Sequence, residues 1–178
     1  MKGLFVKKKA AHPEQDDAEL LKVLKALPVF ENLDRRELAA VLRILHEREY
    51  QPDEVVFREE EPGMGMYIIQ KGRVMIRSEK GNLLLAELGD GAFFGEISLL
   101  DASPRSATVI AKEKSRIFGF FQPDLYGLIE RNPTAGVKIV LGLSRLVCER
   151  LRQTNKRAYD FNEALQQMRQ APKQEKPA

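Results

Sequence analysis

From Glu47 to Phe121 the chain is repeatedly interrupted by turn-forming residues, and this punctuation limits what it can become. The segments "EVVF", "MYIIQ", "RVMIRSE", "NLLLAEL", "SATVIA" and "SRIFGFF" are short and rich in Val, Ile, Leu, Phe and Tyr. The pieces between them, "EEPGMG", "KG", "EKGN" and "GDGA", carry the Gly, Pro, Asn and Asp that reverse a chain. Val74 and Ile76 alternate with Arg73, Met75 and Arg77, the period of a half-buried strand. Many short strands at such spacing predict a small antiparallel β-barrel or jelly roll, a double-stranded β-helix.

Helical periods flank this region. "AELLKVLKA" (18–26) puts Leu20, Leu21 and Leu24 on one side, and Pro28 closes it. "FENLDRRELAAVLRIL" offers Asn32 or Asp34 as an N-cap ahead of an apolar face of Leu38, Val41, Leu42 and Leu45. After the last strand, "PDLYGLIERN" forms a short helix and Pro133 starts a long one. Positions 137, 140, 144, 147, 151, 154, 158, 161, 165 and 168 step by three and four and read Val, Val, Ser, Val, Leu, Thr, Ala, Phe, Leu, Met. Such a seam predicts a homodimer through residues 137–168, the alternative being a helix that packs back on its own barrel. The fold class is therefore α+β, mainly β, with N-terminal helices and a long C-terminal dimerisation helix. The expected divisions are a flexible arm (1–16), the β-roll with flanking helices (17–133), the dimer helix (134–168) and a disordered polar tail (169–178).

Composition excludes several classes. A net charge of +3 gives no argument for nucleic acid, and Cys148 alone cannot form an internal disulfide. That thiol is expected to be buried or interfacial. No run approaches the roughly 18 apolar residues of a membrane span, and no secretory signal opens the chain, so cytoplasm is the default. The two histidines, His12 and His46, are too few for a His-rich metal site in a barrel. No metal, no catalytic residue and no enzyme activity are expected.

The stretch "FFGEISLLDASPRSAT" (93–108) places two charges, Glu96 and Arg105, among apolar and small residues. Buried charges are costly unless something meets them. Gly95 allows close approach of the backbone, "EISLLD" is long enough for a helical turn with open N–H groups, and Arg105 adds charge-assisted donors. Together these suit a small anion. Glu96 would repel an anion and makes sense as an acceptor from sugar hydroxyls. A ligand with a phosphate and a ribose would satisfy both charges; the plain alternative is a Glu96–Arg105 salt bridge that closes a loop.

The string resembles the phosphate-binding cassette of cyclic-nucleotide-binding domains, F-G-E-hydrophobic-[AS]-L followed after a short loop by P-R-x-A-[TS]. It is met here by Phe94, Gly95, Glu96, Ile97, Ser98 and Leu99, then Pro104, Arg105, Ser106, Ala107 and Thr108. The resemblance runs from about Leu24 to Thr154 and includes "LPVFENL" and "MYIIQKGRVMI". It implies that Glu96 accepts from the ribose 2′-hydroxyl. Arg105 would pair with the cyclic phosphate, helped by Ser106 and by backbone N–H groups near Ser98 and Ala107. Gly95 and Ile97 would lie in the cassette, and Ile76 and Leu85 would line the pocket. Two departures stand out: Glu60 where the family usually has glycine after the strand, and Met64 where it often has an acid. The run Glu59–Glu61 reads as a solvated face.

"LSRLVCERLRQTN" (143–155) resembles the dimer helix of the bacterial cAMP receptor protein family. That implies contact of Thr154 with the adenine amino group, Asn155 near the other subunit's site and Arg150 close to the ligand. Thr154 could equally be a polar residue that sets the seam's register, while Ser144 reads as small packing. Ser106 stands where some cGMP-selective relatives carry threonine, but a hydroxyl there does not choose the base. The expected ligand is cAMP, with cGMP or another cyclic nucleotide as alternatives. After Met168 ten residues remain, too few for a helix-turn-helix, so no DNA partner is expected. The expectation is a stand-alone cyclic-nucleotide sensor that signals to an unknown protein partner. Its rival is a degenerate domain that serves as a dimeric scaffold without ligand.

Overall fold

The computed structural model describes the backbone of residues 13–170 and the side chains of residues 17–167. Residues 13–16 of the expected arm belong to α1 and residues 169–170 of the expected tail to α5, while the rest of the arm and tail lies outside the described residues. Five helices and eight strands occur among those described, in the order α1 (Pro13–Ala26), α2 (Arg35–Leu42), β1 (His46–Tyr50), β2 (Val55–Phe57), β3 (Gly65–Lys71), β4 (Val74–Ser78), β5 (Leu83–Leu88), β6 (Phe93–Phe94), α3 (Ile97–Leu100), β7 (Thr108–Ala111), β8 (Ser115–Phe121), α4 (Gln122–Arg131) and α5 (Pro133–Gln170). Two four-stranded antiparallel sheets, ordered β1-β8-β3-β6 and β2-β7-β4-β5, make the expected jelly roll.

Strand alternation sorts the core into two faces. Tyr50, Phe57, Tyr67, Ile69, Val74, Phe94, Val109, Ala111 and Ile117 form one buried cluster inside the roll. On β8, Phe118 and Phe120 point the opposite way from Ile117 and are also buried. Phe30 packs edge-on against Phe120, with ring centres 6.0 Å apart, so this second face meets the N-terminal helical segment. A strand covered on both faces reads as an unbroken apolar run. That is why "GMYII" of β3 shows no alternation in burial.

Of the two candidate caps for α2, Asp34 is used. Its Oδ1 accepts from the N–H groups of Arg36 (2.7 Å) and Glu37 (2.9 Å), and the Glu37 carboxylate accepts from Asp34 N–H (2.7 Å). The N–H of Glu37 is the largest cause holding the Asp34 carboxyl below its ordinary range. Glu37 is itself buried and takes two hydrogen bonds from Lys138 Nζ, at 2.7 and 2.9 Å, which ties α2 to the first turns of α5.

The chain divides into two compact units after Leu143. In the first unit, α5 buries Ala135, Ile139 and Leu143, one face at steps of four. Gly142 lies on the same side against main chain. A Cβ there would come 2.7 Å from Val29 O and 3.0 Å from Val29 Cα. Helical Gly→Ala ordinarily stabilises by about 1 kcal/mol. Gly142→Ala should instead destabilise by about 1–3 kcal/mol through overpacking. Gly127→Ala in α4, where the nearest neighbour is the flexible end of Arg131 at 3.4 Å, should keep the ordinary sign. Thermal melts of the two variants check this: one midpoint falls and the other rises.

The second unit is the remainder of α5, from Ser144. Leu151, Tyr159 and Phe161 are exposed on it, as is Cys148. Of the expected buried or interfacial thiol, the single chain excludes only the first, since Cys148 is exposed on it. No helix among the described residues is long and apolar enough to cross a membrane.

Candidate functional site

The cassette begins at the end of β6. Phe94 is buried and paired with Tyr67 of β3, and the chain then turns through Gly95 at φ +73°. Only glycine adopts that backbone cheaply. The position is constrained a second time, because a Cβ on Gly95 would lie 2.7 Å from Arg105 Nη1. Glu96 follows as the N-cap of α3, yet its side chain makes no capping bond and is 1% exposed. Short α3 is anchored by Leu99, fully buried, and by Ser98, whose Oγ sits where a side chain on Gly63 would be. Ile97 and Leu100 are left exposed.

Arg105 is 5% exposed and folds inward. Its Nη1 donates to Gly65 O (2.8 Å) and Gly95 O (3.2 Å). The guanidinium carbon lies 4.2 Å from the centre of the Phe57 ring and 5.4 Å from that of Tyr67. Those rings pack on each other and on Phe94 at centre distances of 5.4 to 5.8 Å, forming an aromatic floor. A cation over such faces gains about 0.5–2 kcal/mol per good contact. Burial pulls the guanidinium below its ordinary value, while Tyr67, Glu61 and Glu96 favour the charged form. An arginine stays cationic at neutral pH even so. Burial pushes the Tyr67 phenol up, so it faces the guanidinium as a neutral hydroxyl. Arg105 Nε is buried and finds no acceptor among the described residues. An unmet buried N–H on a cation is a cost that an anionic acceptor would remove.

Strand pairing brings the other pocket candidates to this place. The cassette runs through exposed Ser106 and buried Ala107 into β7, which lies beside β4, with Val109 opposite Ile76. Ile76 is half-buried against the inner cluster. On the far side of β4, edge strand β5 pairs Ala86 with Ile76 and Leu84 with Arg77, so Leu85 is the extra residue of a bulge. Leu83, Leu84 and Leu85 are all at least half exposed, unusual for three successive leucines. Arg150, Thr154 and Asn155 belong to the second unit, exposed on α5, with Arg150 and Thr154 one turn apart.

Sequence reasoning passed over Phe57, Tyr67 and the carbonyls of Gly65 and Gly95. Phe57 and Tyr67 carried a faint signal as aromatic residues in strand segments, but nothing local marks them as the bed of an arginine some forty residues away. The run Glu59–Glu61 is solvated at Glu60 and Glu61, as expected, but not at Glu59. The Glu59 side chain is 6% exposed, because its carboxylate accepts from Glu79 N–H (2.6 Å) and Ser78 Oγ (3.2 Å). Glu60, standing in for the usual glycine, adopts φ +66°. Among the described residues, no group of three or more His, Cys, Asp or Glu is placed to hold a metal ion.

Residues 47–132 match the family model of the cyclic nucleotide-binding domain. A putative potassium channel protein of Rhodopseudomonas palustris is 39% identical over 116 residues, 64% of this chain and 28% of that protein. The cyclic AMP receptor protein of Thermus thermophilus is 32% identical over 135 residues, 74% of this chain and 61% of that protein. The crystal structure of the Thermus thermophilus catabolite activator protein superposes with a TM-score of 0.68 at 30% identity, covering 76% of this chain and 63% of that one. The chain thus spans less than two thirds of each of these relatives. The cassette geometry and these likenesses agree: residues 47–132 of this chain carry a cyclic nucleotide-binding domain.

Proposed function

We propose that the chain is a cAMP sensor that works as a homodimer and passes the binding event to a partner protein. The observation that carries the reading is one cassette in which a carboxylate (Glu96) and a guanidinium (Arg105) are both nearly fully buried, with Arg105 Nε unmet among the described residues. A ribose cyclic phosphate suits both charges: its hydroxyl donates to Glu96 and its phosphate oxygens accept from Arg105, Ser106 and nearby main-chain N–H groups. Gly95, Ile97, Ser98 and Ala107 would shape the phosphate end, and Ile76 and Leu85 the apolar wall. The likeness to a cyclic AMP receptor protein favours adenine as the base.

The dimer reading rests on α5. Its first turns bury 135, 139 and 143, while the heptad seam that starts at Val137 lies on a different side. Val137 and Leu151 on that seam are exposed, as are Thr154 and Phe161. A second copy would cover them. Thr154 would then read the adenine amino group, with Arg150 close by and Asn155 toward the partner's site. Binding signals only if two arrangements hold the ligand unequally. Reordering of residues 95–107, passed to α4 and α5, supplies such a pair. Competition titrations of cAMP and cGMP against wild type and Thr154→Ala test the base assignment. The expected result is preference for cAMP, narrowed in the variant; no binding of any cyclic nucleotide would favour a ligand-free scaffold.

A further inference from the structure

The acidic run after β2 does more than face solvent. The Glu59 carboxylate holds the turn between β4 and β5 through Glu79 N–H and Ser78 Oγ. Its main-chain N–H donates to Thr108 Oγ1 (2.8 Å), and that hydroxyl donates to Glu79 Oε1 (2.7 Å). Thr108 is fully buried and is the last residue of the cassette. The next two residues grip Arg105 by its backbone: Glu60 N–H donates to Arg105 O (2.9 Å), and Arg105 N–H donates to Glu61 O (2.8 Å). Pro62 and Pro104 continue that bridge. The Glu60 carboxylate reaches Lys80 (3.1 Å), a second tie to the same hairpin turn. One loop therefore binds the β4–β5 hairpin on one side and the main chain of Arg105 on the other.

We propose that Glu59 and Thr108 are positioning residues for Arg105, fixing the root of its side chain so that the guanidinium is held ready for an anion. This rests on the reading in which Arg105 meets the ligand's phosphate. The physical reason is entropic as well as geometric. A long side chain on a loose root loses more freedom when a ligand immobilises it, and that loss subtracts from affinity. The left-handed backbone of Glu60 gives the loop this path, since it aims the Glu60 N–H at Arg105 O while the Glu59 side chain turns inward. A second consequence is that the hairpin bearing Leu85 and the arginine share one brace, so the apolar wall and the phosphate end shift together.

A double-mutant cycle separates positioning from mere structural support. Glu59→Ala and Thr108→Val are each made in the wild type and in an Arg105→Lys background, with cAMP affinity read by calorimetry and stability by thermal melt. The expected loss is about tenfold with Arg105 present and less than about twofold with lysine, whose point charge depends less on fixed orientation. Thr108→Ser, which keeps the hydroxyl, should restore most of the wild-type affinity. Should Glu59→Ala fail to fold, Glu59→Gln and Thr108→Val complete the cycle. Equal losses in both backgrounds, or a lowered melting point with unchanged affinity, would overturn the proposal. Wild-type affinity retained in Arg105→Lys and Arg105→Ala would overturn the underlying reading as well, and is recognisable because it needs no change at Glu59.

Discussion

Arg105→Ala is expected to weaken cAMP binding by between about thirtyfold and several-thousandfold, the consequence of truncating one member of a buried charge pair, about 2–5 kcal/mol. Two causes add. The phosphate loses its charge-assisted donors, and the site loses the cation that was already desolvated over Phe57 and Tyr67. Desolvation in advance matters because the ligand then meets a guanidinium that need not be stripped of water. Arg105→Lys should fall between, since an ammonium keeps the charge but cannot donate to Gly65 O, Gly95 O and a phosphate in one plane. The alanine variant should also melt earlier, as those two carbonyls lose their donor. A direct binding measurement with a melt on the same sample keeps the two effects apart.

Glu96→Gln should weaken cAMP by roughly 10- to 150-fold, the value of a hydrogen bond to a charged group, about 1.5–3 kcal/mol. The variant keeps the volume of a side chain that is 1% exposed, so folding should change little. The decisive comparison uses 2′-deoxy-cAMP. Wild type should bind it much more weakly than cAMP, because the carboxylate would be left facing a ligand with no hydroxyl to donate. In Glu96→Gln the gap between the two ligands should close to a few-fold. If wild type bound both ligands equally, Glu96 would not be the ribose acceptor, whatever its burial.

The parts that were legible in the sequence are those that local rules control. Period-2 segments broken by turn residues announced the roll, and Asn32 or Asp34 ahead of an apolar face announced a capped helix, of which Asp34 proves to be the cap. Burial at steps of four in α5, set beside a heptad seam on another side, was half visible: the seam was read and the inward face was not. Within the site, Gly95, Glu96 and Arg105 stood out because charge and glycine are rare in such a stretch. What stayed hidden depends on residues distant along the chain. Nothing near Arg105 says that its guanidinium would lie over a ring on β2 and bond to a carbonyl on β3. Glu60 shows the limit most clearly. The sequence registers a missing glycine, while the structure keeps the left-handed backbone and puts a glutamate through it. Glu59 looked solvated because runs of acids usually are, and its burial follows from two donors on a hairpin twenty residues later.

The central claim is that this cassette holds a cyclic phosphate and ribose together. Calorimetric titration of the purified chain with cAMP, run beside 5′-AMP, tests it most directly. One cAMP bound per chain, with 5′-AMP far weaker because its open phosphate carries another charge and shape, is the predicted result. No saturable heat with cAMP, or equal affinity for the two nucleotides, would contradict it.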